Sequence, residues 1–414
     1  MAAKTKFREV EGWGFGYLSL LAGLGLLVLA GLGAAWFMEH NGHYVTGMNN
    51  QIVWGMPHVF AVFLIVAASG ALNVASIGSV FGKTVYKPLS RLSGLLAIAL
   101  MIGGLAVLVL DLGRPDRLIV AMTTYNFKSI FAWNIYLYTG FFAIVGVYLW
   151  VQIERRMNRY AAAAGWFAFL WRLILTTGTG SIFGFLVARE AYDAAVMAPL
   201  FIAMSFSFGL AVFLLVLMLS CAGTGRLLGD RILKRMSTLL AVFVAAVLYF
   251  TAVQHLTNLY AAEHVGVERF LLLEGGVYTT MFWVGQVVLG GLVPLGILLL
   301  PGIAGSRTGI AVASVLVVLG GLAQVYVIIV GGQAYPLVLF PGMETTSSFM
   351  DGAPATYAPS LYEFGLGLGG FAFALLLVAL GVKVLAFLPE TLADAAVDPH
   401  HTRPSAVEPA AAGA

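Results

Sequence analysis

Three ionisable side chains, His58, Asp111 and His255, stand in or at the ends of long apolar runs, where a charge is costly. His58 closes the stretch Asn49-Asn50-Gln51-Ile52-Val53-Trp54-Gly55-Met56-Pro57-His58, and no charge follows it until after Gly82. An imidazole takes up and releases a proton near neutral pH, and a carboxylate beside it can orient the ring or accept its proton. Two histidines at one depth could instead be the axial ligands of a haem. Trp54, Asn134, Tyr138, Gln254 and Asn258 add hydrogen-bonding and aromatic groups able to hold a small ligand nearby. Each has a plain alternative. A lone histidine can simply hydrogen-bond a neighbouring helix, and belts of Tyr and Trp are expected at membrane interfaces.

The elements that must position these groups are membrane spans. The chain is 60% apolar and only 10% charged, with a mean hydropathy of +0.94, whereas soluble domains carry about 25% charged residues. Apolar runs long enough to cross a bilayer predict ten helices, at 14–38, 52–82, 92–112, 129–153, 164–188, 197–222, 236–261, 277–301, 308–331 and 362–388. The fold class is therefore an all-α integral membrane protein. Residues 1–13 read as a cytoplasmic N-terminus before a retained first helix, 14–388 as the membrane domain, 332–361 as a long outer loop and 389–414 as a disordered cytoplasmic tail.

Lysine and arginine fix the orientation. Lys4, Lys6 and Arg8 precede the first span; Lys83, Lys87 and Arg91, then Arg155, Arg156 and Arg159, then Arg226, Arg231, Lys234 and Arg235 fill alternate loops. The loops at 39–51 and 332–361 have neither residue type, and the third loop, with Arg114, Arg117 and Lys128 partly offset by Asp111 and Asp116, is the exception to the pattern. Both termini are thus placed inside. His58 then enters from the outer side and Asp111 ends the third span there. Trp133, Asn134, Tyr136 and Tyr138 open the fourth, and Gln254, His255 and Asn258 reach the same level on the seventh. Gln324, Tyr326, Gln333, Tyr335 and Glu363 join them, so polar groups from six helices are expected in the outer third.

Helical spacing puts His58, Val62, Ile65, Ser69 and Ser76 on one stripe, with Asn73 beside it. Small-residue packing explains that stripe better than a proton path. Gly103 and Gly104 lie inward of Asp111 on its own face, which turns Asp111 toward a packed helix. Arg172, deep in the fifth span, needs a partner or must snorkel to the inner surface. Thr176, Thr177 and Thr179 beyond it could relay protons or mark a tight crossing. Arg189, Glu190 and Asp193 read as surface charge, and the 332–361 loop, rich in Pro, Gly and aromatic residues, as a docking surface or lid. The single cysteine, Cys221, excludes an internal disulfide, a cysteine-held iron–sulfur cluster and a Cys-x-x-Cys-His haem, and no metal ligand set is assigned. No basic stripe or motif points to nucleic acid.

Asn49 to Pro57, the run Val74-Ala75-Ser76-Ile77-Gly78-Ser79-Val80-Phe81-Gly82 and the segment Leu110-Asp111-Leu112-Gly113-Arg114-Pro115-Asp116-Arg117, with the ten-helix layout, resemble the NrfD type of membrane subunit. Its members include the polysulfide reductase membrane subunit, and the closest likeness is to the DsrP branch of the DsrMKJOP sulfur-metabolism complex. The resemblance implies two paired four-helix bundles plus two extra helices and a quinone site, for menaquinone or ubiquinone, near the periplasmic face. It further implies a ferredoxin-like iron–sulfur partner in the periplasm, a c-type cytochrome and other membrane subunits, and a bacterial cytoplasmic membrane. Residue by residue it carries over only His58 and Asp111. His255 is included for its depth. On that reading the subunit passes electrons between the iron–sulfur partner and the quinone pool. A b-type haem between His58 and His255, or a secondary transporter, are the alternatives. A transporter would show broken helices at the midplane.

Overall fold

The computed structural model describes residues 6–337 and 352–397. Ten helices long and apolar enough to cross a membrane lie among them. They are α1 (Phe15–Asn41), α2 (Met56–Ser79), α3 (Ser90–Leu110), α4 (Ile130–Ile153), α5 (Ala161–Gly184), α6 (Met197–Thr224), α7 (Asp230–Tyr260), α8 (Val277–Leu299), α9 (Arg307–Ala334) and α10 (Leu361–Val384). The chain is a multi-pass integral membrane protein. An even number of spans leaves both ends on one side. The antiparallel pair β1 (Phe7–Arg8) and β2 (Leu388–Pro389) ties those ends together there. That side carries most of the lysines and arginines, the distribution expected of an inner face.

Helices α2 to α5 pack into one four-helix bundle and α6 to α9 into a second, while α1 and α10 pair with each other against α2 and α3. The bundles meet where α2 crosses α6. In lipid, apolar residues gain little by leaving the solvent, so close backbone approach has to hold helices together. A Cβ on Gly70 would fall 1.5 Å from the Ser205 carbonyl oxygen, and one on Gly209 would fall 2.2 Å from the Ala71 nitrogen. Small residues along α2 (Ala61, Ala67, Ala68, Ala71, Ala75) admit neighbours on every side, and α2 is the most buried of the spans. Leu-rich α1, apolar all round, is mostly open to lipid.

Several boundaries differ from those the sequence predicts. The second helix starts at Met56, not residue 52, because Pro57 fits the first turn of a helix, where its missing N–H is not needed. The seventh starts at Asp230, and its basic residues lie on the helix itself. The ninth runs on to Ala334, so the outer loop begins three residues later than 332. Residues 338–351 of that loop, with Phe340 and Phe349, fall outside the described residues. The tail after Pro389 is ordered to Val397: Leu392 accepts from Gly229 N–H, and Asp394 accepts from Arg231 N–H at the start of α7.

Arg172 does not snorkel. It is fully buried, donates from Nη2 to Asn73 Oδ1 at 2.9 Å and lies 4.8 Å from both the Phe169 and Phe206 ring centres. Among the described residues it makes no ion pair, and its Nε and Nη1 have no hydrogen-bond partner. The Ser69 and Thr176 hydroxyls lie 2.6 Å apart and within 3.2 and 2.7 Å of the Arg172 carbonyl, sharing their two protons among these contacts, which fastens α2 to α5.

Candidate functional site: a histidine–aspartate pair in the first bundle

Four devices position the segment that leads into His58. Gln333 Oε1 accepts from Val53 N–H and Trp54 N–H at 3.0 and 3.1 Å, while its Nε2 donates to the Trp54 carbonyl at 2.9 Å. Arg189 donates to the Gln333 and Gln51 carbonyls, locking the same turn from a third side. The Tyr357 hydroxyl accepts from Met56 N–H at 2.6 Å, an orphan donor of the first turn of α2, and donates to Glu363. Glu363, fully buried, also accepts from Gly47 N–H and Ser360 N–H and closes a capping box on α10. Burial, reinforced by the neighbouring Glu363, pushes the Tyr357 hydroxyl above the ordinary phenol range, so it remains a donor. Arg189 is thus a staple and not the free surface charge the sequence suggests. The Glu190 carbonyl likewise pairs with His264 Nδ1 at 2.7 Å, and the described end of the outer loop turns inward through Tyr357.

Asp111 ends α3. Gly103 and Gly104 let that helix close on its neighbours: a Cβ on Gly104 would stand 2.9 Å from the Ala61 carbonyl oxygen of α2. Beyond Asp111 the chain turns at Gly113, whose φ of +67° suits glycine. Arg114 then forms a two-pronged, exposed bridge to Asp116 at 3.0 Å, which holds the Asp116 carboxyl below its ordinary range.

The two segments bring His58 Nδ1 to 3.0 Å from Asp111 Oδ2. The Asp111 side chain is fully buried and that of His58 is 21% exposed. The contact is close without the alignment of a hydrogen bond, and among the described residues neither Asp111 oxygen nor His58 Nδ1 has any other hydrogen-bond partner. A buried carboxylate without a donor is costly, by about 1–3 kcal/mol or more for a charged group. Such an atom is accounted for by a ligand, a water or a catalytic duty. Trp54 borders the pair, its ring centre 6.3 Å from His58, and Phe131 and Phe183 extend the aromatic wall at 5.7 and 6.1 Å from Trp54.

The other residues singled out in the sequence sort differently. Asn134 donates to the Ile130 and Gly178 carbonyls, and Tyr138 reaches Thr179, so both join α4 to α5. His255 belongs to the second bundle. Its Nδ1 lies 2.6 Å from Glu268 Oε2, Asn258 donates to Glu268 Oε1 at 2.9 Å, and the Phe282 ring abuts it edge-on. Gln254 and His255 line a cavity of about 20 Å³ with Gln286 and Gln324, both of which donate to Thr251 Oγ1. The expected single outer cluster is therefore two, each with its own histidine and carboxylate. Sequence reading missed Glu268. It lies in an outer connection, and only its place 13 residues after His255, followed by the apolar run Phe270–Leu273, hinted that it turns inward. Among the described residues no group of three or more His, Cys, Asp and Glu could hold a metal ion.

Residues 44–336 match the family described as Polysulphide reductase, NrfD. The chain belongs to the NrfD family. The matched region takes in both bundles and leaves out α1 and α10. The NrfD-family protein is 29% identical over 397 residues to the "Hdr-like menaquinol oxidoreductase integral membrane subunit" of Archaeoglobus fulgidus, covering 95% of this chain and 99% of that one. It is 22% identical over 400 residues to a selenate reductase subunit from Mesobacillus selenatarsenatis, covering 87% and 92% of the two proteins. It is 25% identical over 313 residues to a polysulfide reductase chain from Wolinella succinogenes, covering 69% and 96%.

Proposed function

We propose that this NrfD-family protein is the quinone-reactive membrane subunit of a multi-subunit oxidoreductase, with His58 and Asp111 as its acid–base pair. One observation carries the reading: a buried carboxylate and an imidazole 3.0 Å apart, at the outer end of the first bundle, with hydrogen-bonding capacity left unused. These residues suit a quinone head group, which presents carbonyl or hydroxyl oxygens to such donors and acceptors. A bound quinol would supply two electrons and two protons. His58, partly exposed, is placed to take up or deliver a proton, and Asp111, buried behind it, to hold the ring and stabilise its charged form. Trp54, fixed by Gln333, forms the apolar side of the pocket.

The relatives named for a menaquinol oxidoreductase and a polysulfide reductase support a menaquinone-type ligand and membership of a larger complex. On this reading the iron–sulfur partner lies on the outer, periplasmic side of a bacterial cytoplasmic membrane, together with a c-type cytochrome. The finer assignment is to the DsrP branch of sulfur metabolism, and the whole acts as a non-autonomous part of the enzyme. Separate carboxylate partners for His58 and His255 favour this reading over a haem shared between them. The test is quinol turnover by the intact purified complex carrying His58→Ala or Asp111→Asn. Loss of at least about 100-fold with a normally assembled complex is expected. Near-wild-type turnover in both would refute the assignment.

A further inference from the structure

At the inner end of the molecule α1 leans away from α6 and leaves a wedge of about 910 Å³. Leu20 and Leu24 of α1, Val216 and Leu219 of α6, and Leu375 and Val378 of α10 make its walls apolar. Its mouth is charged: Arg8, Glu9, Glu11, Arg226 and Glu390 line it.

We propose that this wedge binds one inner-leaflet glycerophospholipid whose headgroup carries an ammonium group, of the phosphatidylethanolamine type. Depth argues for a lipid over a helix of another subunit. Along α1 the wedge runs from Gly14 to Leu24, about 15 Å at 1.5 Å per residue, or half of a hydrocarbon core roughly 30 Å thick. It closes toward the midplane, where α1 and α10 touch backbone to backbone: a Cβ on Gly31 would fall 2.7 Å from the Gly369 Cα. A spanning helix needs a groove through both leaflets, and this one is a single leaflet deep. Its volume falls within the roughly 300–1,000 Å³ of small-molecule sites.

Charge selects the headgroup. Pockets for anionic lipids on this side of a membrane are basic. Here three carboxylates face two guanidiniums, and both guanidiniums are engaged. Arg226 donates to the Leu388, Pro389, Arg8 and Glu9 carbonyls, and Arg8 pairs with Glu11 at 2.9 Å. Lys383 is turned to the Gly12 carbonyl and the Trp13 ring. Glu9 and Glu390 have no ion-pair partner among the described residues, and they stand on an end of the molecule where basic side chains outnumber acidic ones. An ammonium group would pair with them, while Arg8 and Arg226, their donors already engaged, act on the phosphate through their charge alone. A purely anionic headgroup would meet like charge.

The experiment is native mass spectrometry of the full-length protein in detergent micelles with equimolar phosphatidylethanolamine and phosphatidylglycerol. One phosphatidylethanolamine should be retained, several-fold in preference to phosphatidylglycerol. The double variant Glu9→Gln/Glu390→Gln should lose the preference. Gly223→Phe, built from a glycine that lines the wedge and has open space at its Cβ, should lower retention of both lipids without changing the melting temperature. Leu219→Trp, from an exposed wall residue, is the second filling variant if the first does not fold. Equal retention of the two lipids, preference for phosphatidylglycerol, no retained lipid, or retention indifferent to filling would each overturn the proposal.

Discussion

Gln333 grips Trp54 by both ends of its backbone, accepting from its N–H at 3.1 Å and donating to its carbonyl at 2.9 Å, across 279 residues of sequence. The second bundle thereby sets the geometry of a pocket in the first. Gln333→Leu keeps the size of the side chain and leaves two backbone N–H groups and one carbonyl without partners. The expected cost is about 1–3 kcal/mol of stability. Displacing Trp54 by an ångström or so should lower turnover by between about 10- and 100-fold. Quinol turnover and Trp fluorescence of the variant complex check this, and unchanged values for both would contradict the positioning role.

Glu268 is held by His255 and Asn258 together. Glu268→Ala should cost about 1–3 kcal/mol because it orphans the buried Asn258 amide and the partly buried His255 ring. His255→Ala/Glu268→Ala should cost little more than the single change, since the residues act as a unit. Thermal denaturation of His255→Ala, Glu268→Ala and the double variant measures the coupling. If His58 and Asp111 form the acid–base pair, Glu268→Gln should depress turnover far less than Asp111→Asn.

The crossing of α2 and α6 admits no side chain at Gly70, where a Cβ would overlap the Ser205 carbonyl. Overpacking normally costs about 1–3 kcal/mol when side chains can yield. Here the obstacle is backbone, so Gly70→Val should prevent accumulation of folded protein. Val216→Ala, on α6 but two turns away from Gly209, should accumulate normally. Fluorescence-detected size-exclusion chromatography of tagged variants reports the difference.

Proton translocation by this subunit alone is expected to be weak. Ser69 and Thr176 spend their hydroxyls on each other and on the Arg172 carbonyl. Arg172 adds a fixed positive charge that repels protons along that route. Vesicles reconstituted with the whole complex should therefore show no uptake of inner-side protons sensitive to Ser76→Ala or Thr177→Val. A pH change inside the vesicles abolished by either substitution would show that a path exists.

The sequence alone determined the ten spans, because length and apolarity act locally and the bilayer imposes the rest, while loop charge sets the direction expected of them. It also placed His58 and Asp111 at one depth, since Pro57 starts one helix and Asp111-Leu112-Gly113 ends the next. Tertiary structure alone decided which groups meet. The outer polar residues divided between two bundles when Gly70 and Gly209 fixed how α2 crosses α6. His255 found Glu268 on the connection that follows its own helix, Arg172 found Asn73 and two aromatic rings, and Arg189 turned from the surface to cap Gln333. Each of these contacts joins segments that local sequence does not pair, and each is selected by helix packing angle and side-chain direction, which no local pattern encodes.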